Sequence, residues 1–487
     1  MKNLKKIVAL MMCICIMFTL ASCGGGSKED EVPTLIWYDR SATTPDHEAV
    51  TQAINEYIEP LIGCKVKRIS IVGAEYNQKM QLILAANEQA DIIYTGGSTM
   101  HTYVKNGSFM DVTELLDTHG KELKEITPDY ALDAAKIDGR LYFIPMYKDY
   151  AVELVVRYNK DMAEKYGLQE QIQQCKTLAD FESVLETIHE KEPGIYPFKF
   201  LSTLSGHDLL QYDTIMGQSI GAIDLEGDPK KIVNQFTTDK ALEYYKLMHK
   251  WYNKGFMRKD IATVNNNSDI SGREFMSIEQ ELPYLIDQHN AAHLMPYTMD
   301  VAHLIAPKMG TKNVIGMGFS IGANCEYPEK AMAFINLLNT DPTLRNMASL
   351  GIEGKHWIAV GDDFYKLPEG CETKADTGFE TYGSPQGNKY IFRMIEGTPD
   401  DIYEKYKEFD DSAIKSPAMG FVFDPANVQT EITAINNVYQ EFFPSLITGA
   451  ADPDVVFPKA VKKLKEAGEE KLIAEIQKQY DEWRKNK

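Results

Sequence analysis

Apolar positions in this chain recur at two spacings. Short clusters of aliphatic and aromatic residues, Thr34–Tyr38, Val66–Val72 and Asp91–Tyr94, read as β-strands. Between them, apolar residues three and four apart predict helices over about Asp46–Ile62 and Tyr76–Glu88, the second with Met80, Ile83 and Leu84 on one face. Strand–helix–strand alternation makes parallel β-structure with helical crossovers, so the fold class is α/β. Ligands of such sheets sit beyond the carboxyl ends of strands. The segments after Tyr38 and after Tyr94 are therefore expected to face one crevice.

Further along, Leu141–Pro145 and Val152–Tyr158 are β-prone runs separated by polar Lys148-Asp149. A helix-rich block follows from about Asp161 to Met257, including Leu178–Glu190 and an amphipathic Lys240–Lys254. Strand character returns over Val314–Ile321. Pro328 then opens a helix carrying Ala331, Phe334, Ile335 and Leu338 at helical spacing. Near the end, Leu472, Ile473, Ile476, Tyr480 and Trp483 form one stripe among charges of both signs, which predicts a core-facing helix rather than a membrane-surface one.

The first residues follow a different rule. Lys2, Lys5 and Lys6 precede an apolar run from Ile7 to Leu20 with Thr19 as its one polar residue, the order of an export signal. The run is shorter than the roughly 20 residues a membrane span needs. Leu20-Ala21-Ser22-Cys23 then resembles the lipobox of bacterial lipoproteins, which implies cleavage after residue 22 and lipidation of Cys23. Two acyl chains would suffice for stable anchoring, so the expected location is the outer face of the cell membrane, tethered to the bilayer. Residues 23–32, with Gly24-Gly25-Gly26-Ser27 and then Lys28-Glu29-Asp30-Glu31, read as a flexible linker.

Composition narrows the field. In 487 residues, 44% hydrophobic and 25% charged, there is enough apolar material for a large core, which excludes a disordered chain or a disulfide-stapled miniprotein. The net charge of −20 and the lack of a basic patch argue against nucleic-acid binding. Cys64, Cys175, Cys325 and Cys371 are far apart and include no C-x-x-C, so they read as buried single thiols; three disulfide pairings remain open if any form.

Several stretches carry a family resemblance. Asp91–Tyr94, then Tyr103 through Gly107-Ser108-Phe109-Met110-Asp111-Val112-Thr113, resemble the first lobe of extracellular solute-binding proteins of sugar ABC importers, the maltose-binding type. Asp138-Gly139-Arg140-Leu141-Tyr142-Phe143-Ile144-Pro145 and Arg157-Tyr158-Asn159-Lys160-Asp161 resemble its crossing between lobes. Gly318–Ala323 leading to Pro328–Ala331 is similar to its returning strand and helix. Gly351-Ile352-Glu353-Gly354-Lys355-His356-Trp357 and the tail from Leu464 to Trp483 resemble a Gram-positive lipoprotein subgroup. The resemblance implies a bilobed periplasmic-binding-protein-like fold of type II, two α/β lobes joined by a hinge. Expected boundaries are 1–22 signal peptide, 33–147 with 298–345 as the N-terminal lobe, 148–297 with 346–430 as the C-terminal lobe, and 431–487 as a helical tail. It also implies a monomer that closes around a carbohydrate and delivers it to ABC permease subunits, with no cofactor.

A sugar asks for aromatic faces and fixed polar groups. Trp37 and Tyr38 are the expected platforms at the end of the first strand, with Asp39 and Arg40 as hydroxyl partners. Gly97 and Ser98 would let backbone amides approach the ligand. Tyr147 and Lys148 stand at the crossing, His207 and Asp208 on a second-lobe loop, and Trp357 is the late aromatic. A peptide or other non-sugar solute is the neighbouring alternative. An enzyme is the distant one: Gly318-Phe319-Ser320-Ile321-Gly322 fits the G-x-S-x-G hydrolase pattern, but no helix can start close behind Ser320. His289 and His293 are spaced like metal ligands without a third, and Asn265, Asn267 and Asp269 imitate a calcium loop that lacks its Gly and Glu, so no metal is expected.

Overall fold

The computed structural model describes residues 32–200, 205–215, 220–264, 270–381 and 386–485. The export signal, Cys23 and most of the linker, and the segment Asn265–Asp269, lie outside the described residues. Two sheets organise the chain. The first takes β1 (Thr34–Asp39), α1 (His47–Ile62), β2 (Lys65–Ser70), α2 (Gly73–Ala85), β3 (Ile92–Thr95) and α3 (Gly97–Lys105), then β4 (Ile144–Pro145). β1 lies parallel to both β2 and β3, as the alternation predicted. The second sheet is built from β5 (Glu153–Asn159), β6 (Tyr196–Lys199), β7 (Glu274–Glu281) and β8 (Met299–His303), in the order β8-β5-β7-β6, with α4 (Asp239–Lys254) packed in its lobe and α5 (Leu285–Ala291) between β7 and β8. β6 falls inside the block read as helical; its Phe198 is 1% exposed, so tertiary burial decided the conformation.

After β8 the chain returns through β9 (Lys308–Met309) to β10 (Gly318–Ile321), which inserts antiparallel between β3 and β4. α6 (Pro328–Thr340) and α7 (Pro342–Leu350) follow, each with proline in its first turn. Then come α8 (Ile402–Ser412), β11 (Ile414–Lys415) and the helices α9 (Gln429–Ile447), α10 (Pro453–Glu466) and α11 (Glu469–Lys485). In α11, Leu472, Ile476 and Tyr480 are buried, so the terminal stripe faces the core.

The two largest clusters of buried apolar side chains lie one against each sheet. Trp37, Val50, Phe143, Tyr150 and Phe334 belong to one; Val156, Phe198, Trp251, Phe443 and Tyr480 belong to the other. The stretch 346–430, expected in the second lobe, divides differently. Ala348, Phe379 and Ala413 pack in the first cluster, while Phe421, Phe423 and Val428 pack in the second. The cause is local: the Ala348 carbonyl accepts a bond from Arg68 Nη1 at 3.0 Å, which fastens the end of α7 to β2.

The chain passes between the lobes three times, and the three passages are stitched together. Val152 and Lys308 exchange backbone bonds of 2.8 and 2.9 Å, and β9 pairs in parallel with β11. Asp410 fixes the first passage by accepting the amides of Tyr150 and Ala151 at 2.7–3.0 Å. A ladder this narrow can bend while each lobe keeps its core.

Candidate functional site

Beside this ladder the structure gathers aromatic and charged groups from distant parts of the sequence. Tyr147, just before the crossing, meets Tyr390 with ring centroids 4.6 Å apart and a 48° tilt. Tyr390 meets Tyr403 at 5.6 Å, and Tyr403 meets Tyr406 at 6.5 Å. Lys389 donates its amide to the Tyr147 carbonyl at 2.8 Å, joining the 386–393 segment to the crossing. Its ammonium lies 2.5 Å from Asp149 Oδ1 and 3.7 Å from the centre of the Tyr406 ring. Lys148 donates to the Asp149 carbonyl at 2.7 Å; burial pushes its pKa down, with Asp149 opposing. Burial raises the Asp410 carboxyl, offset by the two amides it accepts, and raises the phenols of Tyr147 and Tyr390.

The same aromatic edge continues into a crevice of about 400 Å³ that Tyr390 and Tyr403 share with Trp357, Asp362, Asp363 and Arg393. Trp357 is 5% exposed, packed with Leu350 and Tyr365 and anchored by its indole N–H on the Gly351 carbonyl at 3.0 Å, so it backs the crevice as wall and offers no free ring face. Arg393 stands 5.7 Å from the Trp357 ring. Half-buried phenol faces beside carboxylates and cations are what the apolar face and hydroxyls of a sugar ring require. Tyr147 and Trp357, both expected from the sequence, are thus linked by Tyr390 and Tyr403, which sequence reasoning missed. A Lys-Tyr pair near a second Tyr cluster was the available signal.

Other expected residues stand elsewhere. Trp37 is fully buried, edge-on to Phe334 at 5.2 Å with the Arg68 guanidinium 4.5 Å from its ring centre. It is a core residue and offers no platform, because helices cover both faces of the parallel strands β1, β2 and β3. Tyr38, on the opposite face, packs with Tyr76 and Tyr94 at 6% exposure, so it too is covered. Asp39 is 1% exposed and committed to Arg68 Nη2 at 2.6 Å and Gln386 Nε2 at 2.6 Å. Only Arg40 of this quartet remains half-exposed, 5.9 Å from the Tyr94 ring. Gly97 opens α3 and is buried; beside it, a Cβ on Gly96 would meet the Gly316 carbonyl at 2.7 Å, so the glycine permits contact between chain segments. The Ser98 side chain lies outside the described residues.

His207 is 6% exposed and stacked on Phe236 at 4.8 Å and Tyr245 at 6.1 Å. Burial drives its pKa down to about 4, against the opposing charge of Asp208. Asp208 caps its own turn, accepting the Ser205 amide at 2.8 Å. Both are structural rather than cleft groups: Tyr212 and, from farther along the chain, Phe236, Tyr244 and Tyr245 close over the ring.

Ser320 sits mid-strand in β10, 1% exposed, with no hydrogen-bond partner for its hydroxyl among the described residues. Its flanking glycines serve the sheet: a Cβ on Gly318 would lie 2.2 Å from the Ile144 carbonyl and one on Gly322 1.9 Å from that of Ala90. Cys64, Cys175, Cys325 and Cys371 are free, the first three buried.

A family model for bacterial extracellular solute-binding proteins matches residues 52–352. The chain belongs to that family. It is a binding protein and not an enzyme, which agrees with a serine locked inside a strand. A second model, a domain of unknown function (DUF3502), matches 417–485, the stretch that carries α9, α10 and α11. A carbohydrate ABC transporter substrate-binding protein of Streptococcus pneumoniae serotype 4 is 30% identical over the whole of both chains. Lipoprotein LipO of Bacillus subtilis is 20% identical over 97% of each. Among solved structures, the N-glycan transport solute-binding protein NgtS of Streptococcus pneumoniae is 28% identical, with a TM-score of 0.83 over 93% of this chain and 99% of that one. The same protein in complex with Man1GlcNAc gives 0.73 over 93% of this chain and 100% of that one. In complex with Man5GlcNAc it gives 0.69 over 93% and 99%.

Proposed function

We propose that this solute-binding protein is the receptor of an ABC importer for oligosaccharides of the N-glycan type, held as a monomer on the outer face of the membrane through lipidated Cys23. The observation that carries the ligand class is the aromatic edge Tyr147–Tyr390–Tyr403, half-buried beside the lobe ladder. It offers ring faces at a place where a ligand touched by both lobes would favour their approach. Similarity along the full length to a carbohydrate transporter component, and to a protein crystallised with mannose-containing glycans, supports the same class. The spread of TM-scores across structures of one relative supports lobes that rearrange about the ladder. LipO is described as a lipoprotein, which supports the anchor.

Calorimetry on a Cys23→Ala protein, titrated with Man1GlcNAc, Man5GlcNAc and a short peptide, tests the reading. Saturable heat with a glycan, and a smaller radius of gyration by small-angle scattering, is expected. Binding of the peptide alone would overturn the sugar assignment. For the anchor, wild-type protein should pellet with membranes and the Cys23→Ala protein should not; equal partition would remove it.

A further inference from the structure

The second lobe holds a polar cavity that shares no lining residue with the crevice beside Tyr390 and Tyr403. It measures about 160 Å³ and lies around Arg157 and Ser277, which pair across β5 and β7 and alternate with the core-facing Val156, Tyr158 and Met276. α5 and the turn that follows it contribute His289, Met295 and Tyr297. Arg157 is five residues beyond Val152, roughly 16 Å along an extended strand from the lobe ladder.

Three buried polar atoms that line this space lack a hydrogen-bond partner among the described residues: Arg157 Nε, Glu274 Oε2 and His289 Nδ1. Glu274 is 4% exposed, and its other oxygen takes the Lys199 ammonium at 2.8 Å. Arg157 reaches Glu281 at 3.3 Å through Nη2 and Glu279 at 4.0 Å through Nη1. Burial and the nearby Arg157 lower the His289 pKa, which keeps the imidazole neutral. An orphaned buried donor or acceptor is costly, so three around one void call for an occupant.

The charges choose its chemistry. Lys199 is already paired with Glu274, and Arg157 with both Glu279 and Glu281, so each cation is taken and the carboxylates outnumber the cations, which disfavours an anion. A charged ligand would compete for one member and strand the other in a buried site. What remains is one N–H donor, one carboxylate acceptor and one neutral imidazole nitrogen. Hydroxyl groups, which both donate and accept, satisfy all three without disturbing a pair. The volume is several times the ~30 Å³ share of a single water. Met295 and Met299 supply apolar wall for C–H groups.

We infer that this cavity binds a small, uncharged polyhydroxyl compound of about monosaccharide size, at a site separate from the crevice beside Tyr390 and Tyr403. The inference does not depend on which solute the crevice takes. Methyl NMR of the full chain labelled at methionine reads it directly, with D-mannose, N-acetyl-D-glucosamine and myo-inositol as probes. At least one probe should shift the Met295 and Met299 methyls saturably, and should do so equally with Man1GlcNAc present. Ser277→Met, which fills the space, should abolish those shifts. Glu274→Gln keeps the shape and should weaken them about fivefold, which covers the case of a poorly folded Ser277→Met protein. No shift at about 50 mM of all three probes would overturn the proposal. So would shifts that both variants leave unchanged, or shifts that vanish once Man1GlcNAc is bound.

Discussion

Lys389 and Asp149, 240 residues apart in sequence, form an ion pair of 2.5 Å next to the first passage between lobes. The pair is largely buried, and Lys389 also covers the Tyr406 ring. It therefore ties the helical turn carrying Tyr390 to the segment carrying Tyr147. Lys389→Met leaves Asp149 without its cation in a buried setting, which costs about 3–5 kcal/mol when such a pair is broken from one side. The expected outcome is a lower thermal midpoint together with loss of glycan binding. The double variant Lys389→Met/Asp149→Leu should recover midpoint but not affinity. Recovery of both would show that the pair only stabilises the fold.

Tyr390 is the residue whose loss should be felt in affinity rather than stability. Its half-buried ring contacts Tyr147 and Tyr403, and it lines the crevice with Trp357. Tyr390→Ala should weaken Man1GlcNAc binding at least tenfold, about 1.4 kcal/mol, with Tyr390→Phe retaining most of it. Calorimetry on folded variants measures both; an unchanged Kd for Tyr390→Ala would remove the aromatic edge as the platform.

Trp37 should behave in the opposite way. Fully buried against Phe334 and Arg68, it has no ring face to give to a ligand. Trp37→Ala should destabilise the protein by about 3–5 kcal/mol through cavity formation, while the folded fraction binds with wild-type affinity. Chemical denaturation followed by titration below the transition separates the two effects.

Much of the first lobe was legible because its strands and helices are local patterns. β1, α1 and β3 follow from runs and spacings within a dozen residues. The terminal helix, with Leu472, Ile476 and Tyr480 inward, was equally plain. The site was not, for two physical reasons. Where parallel strands are covered on both faces, alternation no longer separates core from surface, so Trp37 and Asp39 looked available although 0% and 1% exposed. The aromatic edge, in turn, is assembled from 147, 390 and 403, joined by contacts across the fold rather than by any spacing. His207 shows the same limit: Phe236 and Tyr245, which enclose it, lie about 30 and 40 residues downstream.

That enclosure gives a pH dependence of definite sign. Burial holds the folded-state pKa of His207 near 4, below the roughly 6.5 of an unfolded chain. Below pH 6.5 the unfolded state takes up a proton that the folded state refuses, so stability present above that pH is lost as the pH falls toward 4. The loss attributable to this group is on the order of 3 kcal/mol. His207→Phe, which keeps the stack on Phe236 and Tyr245, should show a shallower fall of thermal midpoint between pH 6.5 and 4 than wild type. Parallel slopes for the two proteins would mean that His207 titrates normally and that other groups set the acid limit.

The hydrolase-like stretch makes a final, sharper test of what its residues are for. Ser320 is buried with its hydroxyl unpartnered among the described residues, so Ser320→Ala removes an unsatisfied polar group from the sheet. It should raise stability by about 1 kcal/mol or leave it unchanged, without altering glycan affinity. Gly322→Ala places a methyl 1.9 Å from the Ala90 carbonyl, where neither backbone can yield without parting β10 from β3. That variant should lose several degrees of thermal midpoint or fail to fold. Denaturation of the two proteins side by side decides the matter: a destabilised Ser320→Ala beside a tolerant Gly322→Ala would reverse the assignment of glycine to packing and serine to neutrality.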